Sequence, residues 1–194
     1  MNRRSFILST AMASLIWPAA SGTQALAADH PAVQFTRKVA DDLIRAQMIG
    51  TVPRFTAVIR RHADIPHMAL QTLGPYRSKL PSSKRQQYYK GITAYIAHYF
   101  ANQTRKYRVL QAKVTNAAKD GDMVAVDAIA TLEDGKNYTV RFILRPAGKS
   151  YKVTDVKISY IAWISLVSGM RGDVQRFLAK KGGDVNALIA ALNR

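Results

Sequence analysis

The sequence contains no cysteine, which excludes disulfide stapling, thiol nucleophiles and thiolate metal sites and leaves the fold to rest on burial alone. Acidic groups are scarce: 12 Asp and Glu stand against 29 Lys and Arg, and Glu133 is the only glutamate. Paired carboxylates for general acid–base work therefore have few members to draw on. There is no Gly-x-Ser-x-Gly elbow and no phosphate-cradling Walker loop, so acyl and phosphoryl transfer lack their recognisable machinery. The four histidines, His30, His62, His67 and His98, include no i,i+4 pair of the kind a helical zinc site uses, and surface or capping roles are expected for them. No catalytic residue, metal or cofactor is assigned.

Long hydrophobic runs are also missing. The best candidate, Phe6 to Ala20, is broken by Pro18, too short for the ~20 residues that cross a bilayer. With Arg3 and Arg4 before it and Ala25-Leu26-Ala27 after it, this stretch reads as a signal peptide over residues 1–27, cleaved after Ala27. The order Asn2-Arg3-Arg4-Ser5-Phe6-Ile7-Leu8 also fits a twin-arginine signal, read on folded chains. Export to the periplasm is expected. The remaining 167 residues, 28–194, suit one domain.

What the chain has in excess is positive charge. Its formal +17 becomes +15 once residues 1–27 are removed, because Arg3 and Arg4 are the only charges there. In a cytosolic protein this excess would point to nucleic acid; export argues against that partner. Anionic lipid headgroups, lipopolysaccharide phosphates or acidic protein faces are the counterparts expected in an envelope.

From Pro31 to about Gln103 the apolar residues recur at helical spacing. Val33, Val39, Leu43 and Ile44 mark a first helix that Gly50 ends; Pro53 opens a second through Val58 and Ile59. A third runs from about Ile65 to Leu73, before Gly74-Pro75. The longest starts near Pro81-Ser82-Ser83 and carries Tyr88, Ile92, Tyr95 and Tyr99, widened by Tyr89, Ile96 and Phe100.

At Tyr107 the period changes to two, and four strands are predicted with turn signals between them. Their inward rows read Leu110, Ala112, Val114; then Val124, Val126, Ala128, Ala130, Leu132; then Tyr138, Val140, Phe142, Leu144. In the fourth, Tyr151 and Val153 are followed out of phase by Val156 and Ile158, which predicts a β-bulge near Asp155. Residues from about Ile161 through Lys181 are expected to be helical, followed by a short helix over Val185 to Leu192. The fold class is α+β: a four-stranded antiparallel sheet with helices covering one face. Small Ala128 and Ala130 facing an aromatic helix leave room for an enclosed apolar cavity. Asp155 is the one carboxylate placed to act as a base, in an isomerase-like cavity enzyme; a hydrogen bond to nearby backbone amides is its more ordinary role.

Asp64-Ile65, Leu73-Gly74-Pro75-Tyr76-Arg77, Leu80, Lys84-Arg85 and Tyr88, then Asp155-Val156-Lys157-Ile158, Ile164-Ser165-Leu166-Val167, Arg171, Gly183-Asp184, Leu188-Ile189 and Leu192, resemble in that order the MlaC/toluene-tolerance family of phospholipid-transport proteins. Departures are Arg77, where an aromatic is usual, Val174, where phenylalanine is usual, and a 159–163 link longer than the family's. The resemblance implies a periplasmic lipid carrier, not an enzyme. Such a carrier is the substrate-binding component of an ABC-type transport system and maintains outer-membrane lipid asymmetry by shuttling phospholipid between an inner-membrane transporter complex and an outer-membrane lipoprotein complex. A hopanoid-type cargo is the alternative, since some relatives are encoded with hopanoid synthesis. The implied lipid-binding lining is Tyr89, Ile92, Ile96 and Tyr99 from the long helix, Val124, Val126, Ala128, Val140 and Phe142 from the sheet, and Trp163, Leu166 and Val167 from the closing helix.

Overall fold

The computed structural model describes residues 30–159 and 161–194; the proposed signal peptide lies outside the described residues. Helix α1 spans Pro31–Ile49, started by the His30 ring, whose Nδ1 accepts from the Ala32 N–H, and ended by Gly50 in the left-handed region at φ 70°. Only glycine enters that conformation without steric cost. Helices α2 (Val52–His62) and α3 (Ile65–Leu73) follow, each with proline in its first turn. Two 3₁₀ turns, Gly74–Lys79 and Ser82–Lys84, lead into α4, Arg85–Gln103.

The chain then forms an antiparallel meander in sequence order: β1 (Val109–Asp120), β2 (Met123–Leu132), β3 (Asn137–Ala147), β4 (Ser150–Ser159) and a short β5 (Trp163–Ser165). Helices α5 (Leu166–Lys180) and α6 (Val185–Leu192) close it. The sheet therefore has five strands, not four, and the helix expected from Ile161 begins only at Leu166. Two features decide this boundary. The aromatic and β-branched Trp163 and Ile164 pair back onto β4, Ile158 opposite Ile164 and Ser159 opposite Trp163. The Ser165 hydroxyl then caps α5 by accepting from the Ser168 N–H at 3.0 Å.

The inward rows hold in β2 and β3, where Val124, Val126, Ala128 and Ala130 lie opposite Leu144, Phe142, Val140 and Tyr138. In β4 the bulge falls at Thr154, so Leu144 faces Val153 and Ile143 faces Asp155. Val153 and Val156, three residues apart, both point inward as a result. The β1 row is different from expectation. Irregularities at Leu110 and Thr115 leave both without a pairing partner and bring Ala117 opposite Val126; Leu110 is 57% exposed while Ala117 is buried.

Two apolar clusters result. One sits between the sheet and α1, which crosses the inner face from Tyr151 on β4, against Phe35, to the start of β1, where the Gln47 side chain bonds both the N–H and the C=O of Val109. The other is built by α2 to α6 with Ala46 of α1. The long helix α4 belongs wholly to that second cluster. Its tyrosine stripe was expected to face the sheet; instead its small face is also buried, through Gly91, Ala97 and Ala101. A Cβ at Gly91 would meet the Leu192 Cβ at 2.7 Å, so glycine is what admits α6. The small Ala128 is likewise spent on close approach, packed with Ala32, Val33 and Ala117 under α1.

Candidate functional site

Where the two clusters meet, a narrow cleft opens. Its walls are Val39 and Leu43 of α1, Val58 and Ile59 of α2, Met68 of α3, Ile96 and Phe100 of α4, and Phe142, Val153 and Val156 of the sheet. Ala63 and His62 complete it, and His62 is its one polar member. The open space is about 40 Å³, room for a few water molecules at most, and an apolar lining of this kind stays dry. The arrangement is a seam between two apolar layers, with no polar group except the histidine to resist apolar cargo.

Polar ties hold the elements around the seam. Gln47 pins the end of α1 to β1. Asp64 pins the α2–α3 link to β4: its N–H donates to the Val153 C=O at 2.8 Å, and its carboxylate accepts from the His67 N–H and from Arg145. Asp155 pins α5, accepting from the Val156 and Val167 N–H groups at 2.8 and 3.1 Å and from the Ser165 hydroxyl at 2.6 Å.

Asp155 thus has its carboxylate committed to three donors, the arrangement of a structural clamp. Asp155→Ala is expected to destabilise by about 1–3 kcal/mol, because the Val167 N–H loses its acceptor, read as a drop in the thermal unfolding midpoint. Unchanged stability would mean that α5 is held by other contacts. Asp127 is no freer, since Arg141 grips it through two bonds of 2.6 and 2.8 Å on the outer face. Burial pushes the Tyr88 phenol up to about 12, and its hydroxyl bonds Thr72 at 2.6 Å, so it stays protonated and joins α3 to α4.

One histidine departs from the surface or capping role expected. His62 is 5% exposed, its Nε2 lies 2.6 Å from the Asp42 carboxylate, and Phe35 packs edge-on against its ring. Asp42 also accepts from Arg45 at 2.5 Å, with Arg61 at 3.6 Å. The hydrogen bond from His62, and then the one from Arg45, hold the Asp42 carboxyl below its ordinary value against the opposing cost of burial. A depressed folded value means the pair's contribution is complete above the unfolded carboxylate value of ~3.9 and disappears as pH falls through the folded one. The stability difference between the natural chain and Asp42→Asn should therefore shrink below about pH 4, which unfolding curves across that range would reveal. A difference that stays constant there would show that Asp42 contributes nothing through its charge.

Of the side chains expected to line a lipid site, the structure brings Ile96 and Phe142 together in the cleft wall. Ile92 and Val167 are buried in the helical cluster, with Tyr89 and Leu166 half-buried against it. Val124, Val126, Ala128 and Val140 lie in the cluster beneath α1. Tyr99 is 38% exposed, edge-on to Phe100. Trp163 is on the opposite face of the sheet, its ring 4.5 Å from the Arg141 guanidinium. The wall residues the sequence reasoning missed, chiefly Leu43, Val58, Ile59 and Met68, had one visible signal, their helical periodicity, which marks burial but not what the buried face meets.

The fold and the seam define a class: an α+β fold in which an antiparallel sheet and a helical layer enclose apolar space, with no metal-ligand cluster among the described residues. The comparisons with known proteins agree. A family model for MlaC protein matches residues 38–194, and the chain belongs to the MlaC family. A solved structure of the phospholipid-binding protein from Ralstonia solanacearum, in complex with a phospholipid, superposes with a TM-score of 0.69, covering 84% of this chain and 94% of that one at 17% identity. No curated protein matches the chain.

Proposed function

We propose that this protein is a periplasmic phospholipid carrier, the substrate-binding component of an ABC-type lipid transport system that passes lipid between an inner-membrane transporter complex and an outer-membrane lipoprotein complex. The observation that carries the reading is the apolar seam between sheet and helices, in a fold shared with a protein solved with phospholipid bound. Membership of the MlaC family supports it. The physical need is plain: exposing acyl chains costs ~0.8 kcal/mol per methylene, so two long chains free in water cost on the order of 20 kcal/mol.

Entry of a lipid parts the two layers along the seam, exchanging contacts between apolar side chains for contacts with acyl chains, while the ties at Asp64 and Asp155 keep the layers in register. The headgroup stays at the mouth, in solvent. The test is organic extraction and mass spectrometry of the protein recovered from the periplasm, with N-terminal sequencing of the same sample. A diacyl phospholipid and an N-terminus at Ala28 are expected. A polycyclic lipid would redirect the reading to a hopanoid carrier, and lipid-free protein that turns over a small apolar carbonyl compound would sink it.

A further inference from the structure

Most of the large hydrophobic side chains that stand exposed among the described residues lie toward one end of the sheet. The meander sets this end: Val109 lies opposite Leu132, Thr131 opposite Asn137, Thr139 opposite Ser159, and Ser159 opposite Trp163. The starts of β1 and β3, the ends of β2 and β4 and the whole of β5 therefore share one rim. On it are Tyr107 and Leu110 before and within β1, Ile158 at the end of β4, and Ile161, Trp163 and Ile164 around the β4–β5 turn, with Ile161 94% and Ile164 61% exposed. The exposed apolar end of α1 joins them, held there by Gln47. Exposed hydrophobes scattered singly are ordinary; Ile158, Ile161, Trp163 and Ile164, gathered where β5 pairs with β4, form a local cluster of the kind that marks a contact surface, while Tyr107, Leu110 and the end of α1 lie at the same end but on the opposite, β1 edge of the sheet.

The charge around this rim identifies what it contacts. Arg105, Lys106 and Arg108 stand beside Glu133 and Asp134, two anions that sit with Arg108 at 3.7 Å and Lys136 at 2.7 Å, and Lys157 lies on β4 between Arg141 and Ser165. Neither anion is shared with Arg105, Lys106 or Lys157. Exposed apolar side chains and cations on one end of a sheet, with a tryptophan among them, are the pattern that seats in the headgroup region of an anionic bilayer. Arg141, clamped to Asp127 and stacked on Trp163, holds the indole in place from behind.

We propose that this rim docks the protein directly on anionic membrane, the Ile161–Ile164 turn entering the acyl boundary and Arg105, Lys106 and Lys157 meeting lipid phosphates. This goes beyond docking on protein complexes, and vesicle binding is read without reference to cargo, so its failure leaves the carrier reading standing. The chain from Ala28 is suited to the experiment, because residues 30–194 hold every element and both apolar clusters described, and Trp163 is then its only tryptophan.

Co-sedimentation with phosphatidylcholine vesicles containing about 30 mol % phosphatidylglycerol, and with phosphatidylcholine alone, measures the contact. Strong binding to the anionic vesicles only, a blue shift of Trp163 emission on binding, and a loss of about tenfold or more in Ile161→Asp/Ile164→Asp are expected. Both positions are exposed, so the unfolding midpoint should not move, and Arg105→Glu/Lys106→Glu provides an independent variant with the same expected loss. Three results would each overturn the proposal: no binding to anionic vesicles, binding that the isoleucine pair leaves unchanged, or loss in that pair only of capture by membranes bearing native proteins.

Discussion

Val58→Trp is expected to empty the protein of lipid while leaving it folded. Val58 is half-buried and projects from α2 into the cleft, so an indole there occupies space the acyl chains would take, and the partial exposure lets the ring adjust. Co-purifying lipid should fall about tenfold or more, with the unfolding midpoint within a few degrees of the natural chain. Ala128→Trp provides the contrast. Ala128 is 1% exposed beneath α1, and the same ring there overpacks a closed site at a cost of about 1–3 kcal/mol, some 2–4 °C in midpoint per kcal/mol for a domain of this size. Lipid content and thermal unfolding measured on one sample separate the two. A folded Val58→Trp protein that keeps its full complement of lipid would place the cargo somewhere other than the seam.

Asp64→Ala should be among the most damaging single changes away from the apolar cores. One carboxylate caps α3 and pairs with Arg145 across to β3, and its backbone N–H bonds Val153 on β4. Loss of a cap costs typically ~1 kcal/mol, and loss of a charged hydrogen bond adds to it, discounted because Arg145 is half in solvent. About 2 kcal/mol in all corresponds to a midpoint lower by about 4–8 °C. Asp64→Asn keeps a good capping oxygen and gives up only the ion pair, so it should fall between the alanine variant and the natural chain. Equal damage from asparagine and alanine would assign the effect to the pair with Arg145 and remove the cap from the account.

Much of the architecture was readable before any coordinates. Gly50, Pro53 and Gly74-Pro75 carry their own backbone preferences, so the ends of α1, α2 and α3 follow from local chemistry. Strict alternation over Val124 to Leu132 and Tyr138 to Leu144 set the register of β2 on β3, since a one-residue slip would turn every one of those side chains into solvent. The phase break between Val153 and Val156 exposed the bulge. Less legible were segments whose preference is settled by a distant partner. Trp163 and Ile164 are strand residues because β4 offers an edge beside them, and Leu110 is exposed because β1 carries an irregularity that no local pattern announces.

The candidate site divides in the same way. That Ile92, Ile96, Val126 and Phe142 are buried follows from periodicity; which of them share a wall does not. Periodicity gives the direction of a side chain relative to its own helix or strand, and carries no information on which element covers that face. Only the tertiary structure decided that α1 rather than α4 lies over Ala128, because Gly91 commits α4 to α6 and the small residues of α1 fit the small residues of the sheet. With α4 withdrawn into the helical layer, the apolar space shifted to the line where Ile96 and Phe100 meet Phe142, Val153 and Val156. The sequence by itself determined composition, charge, element order and which faces are apolar, all of them properties of residues and their near neighbours. The pairing of those faces, and with it the position of the cleft and the gathering of exposed side chains on one rim, depends on packing between residues far apart in the chain.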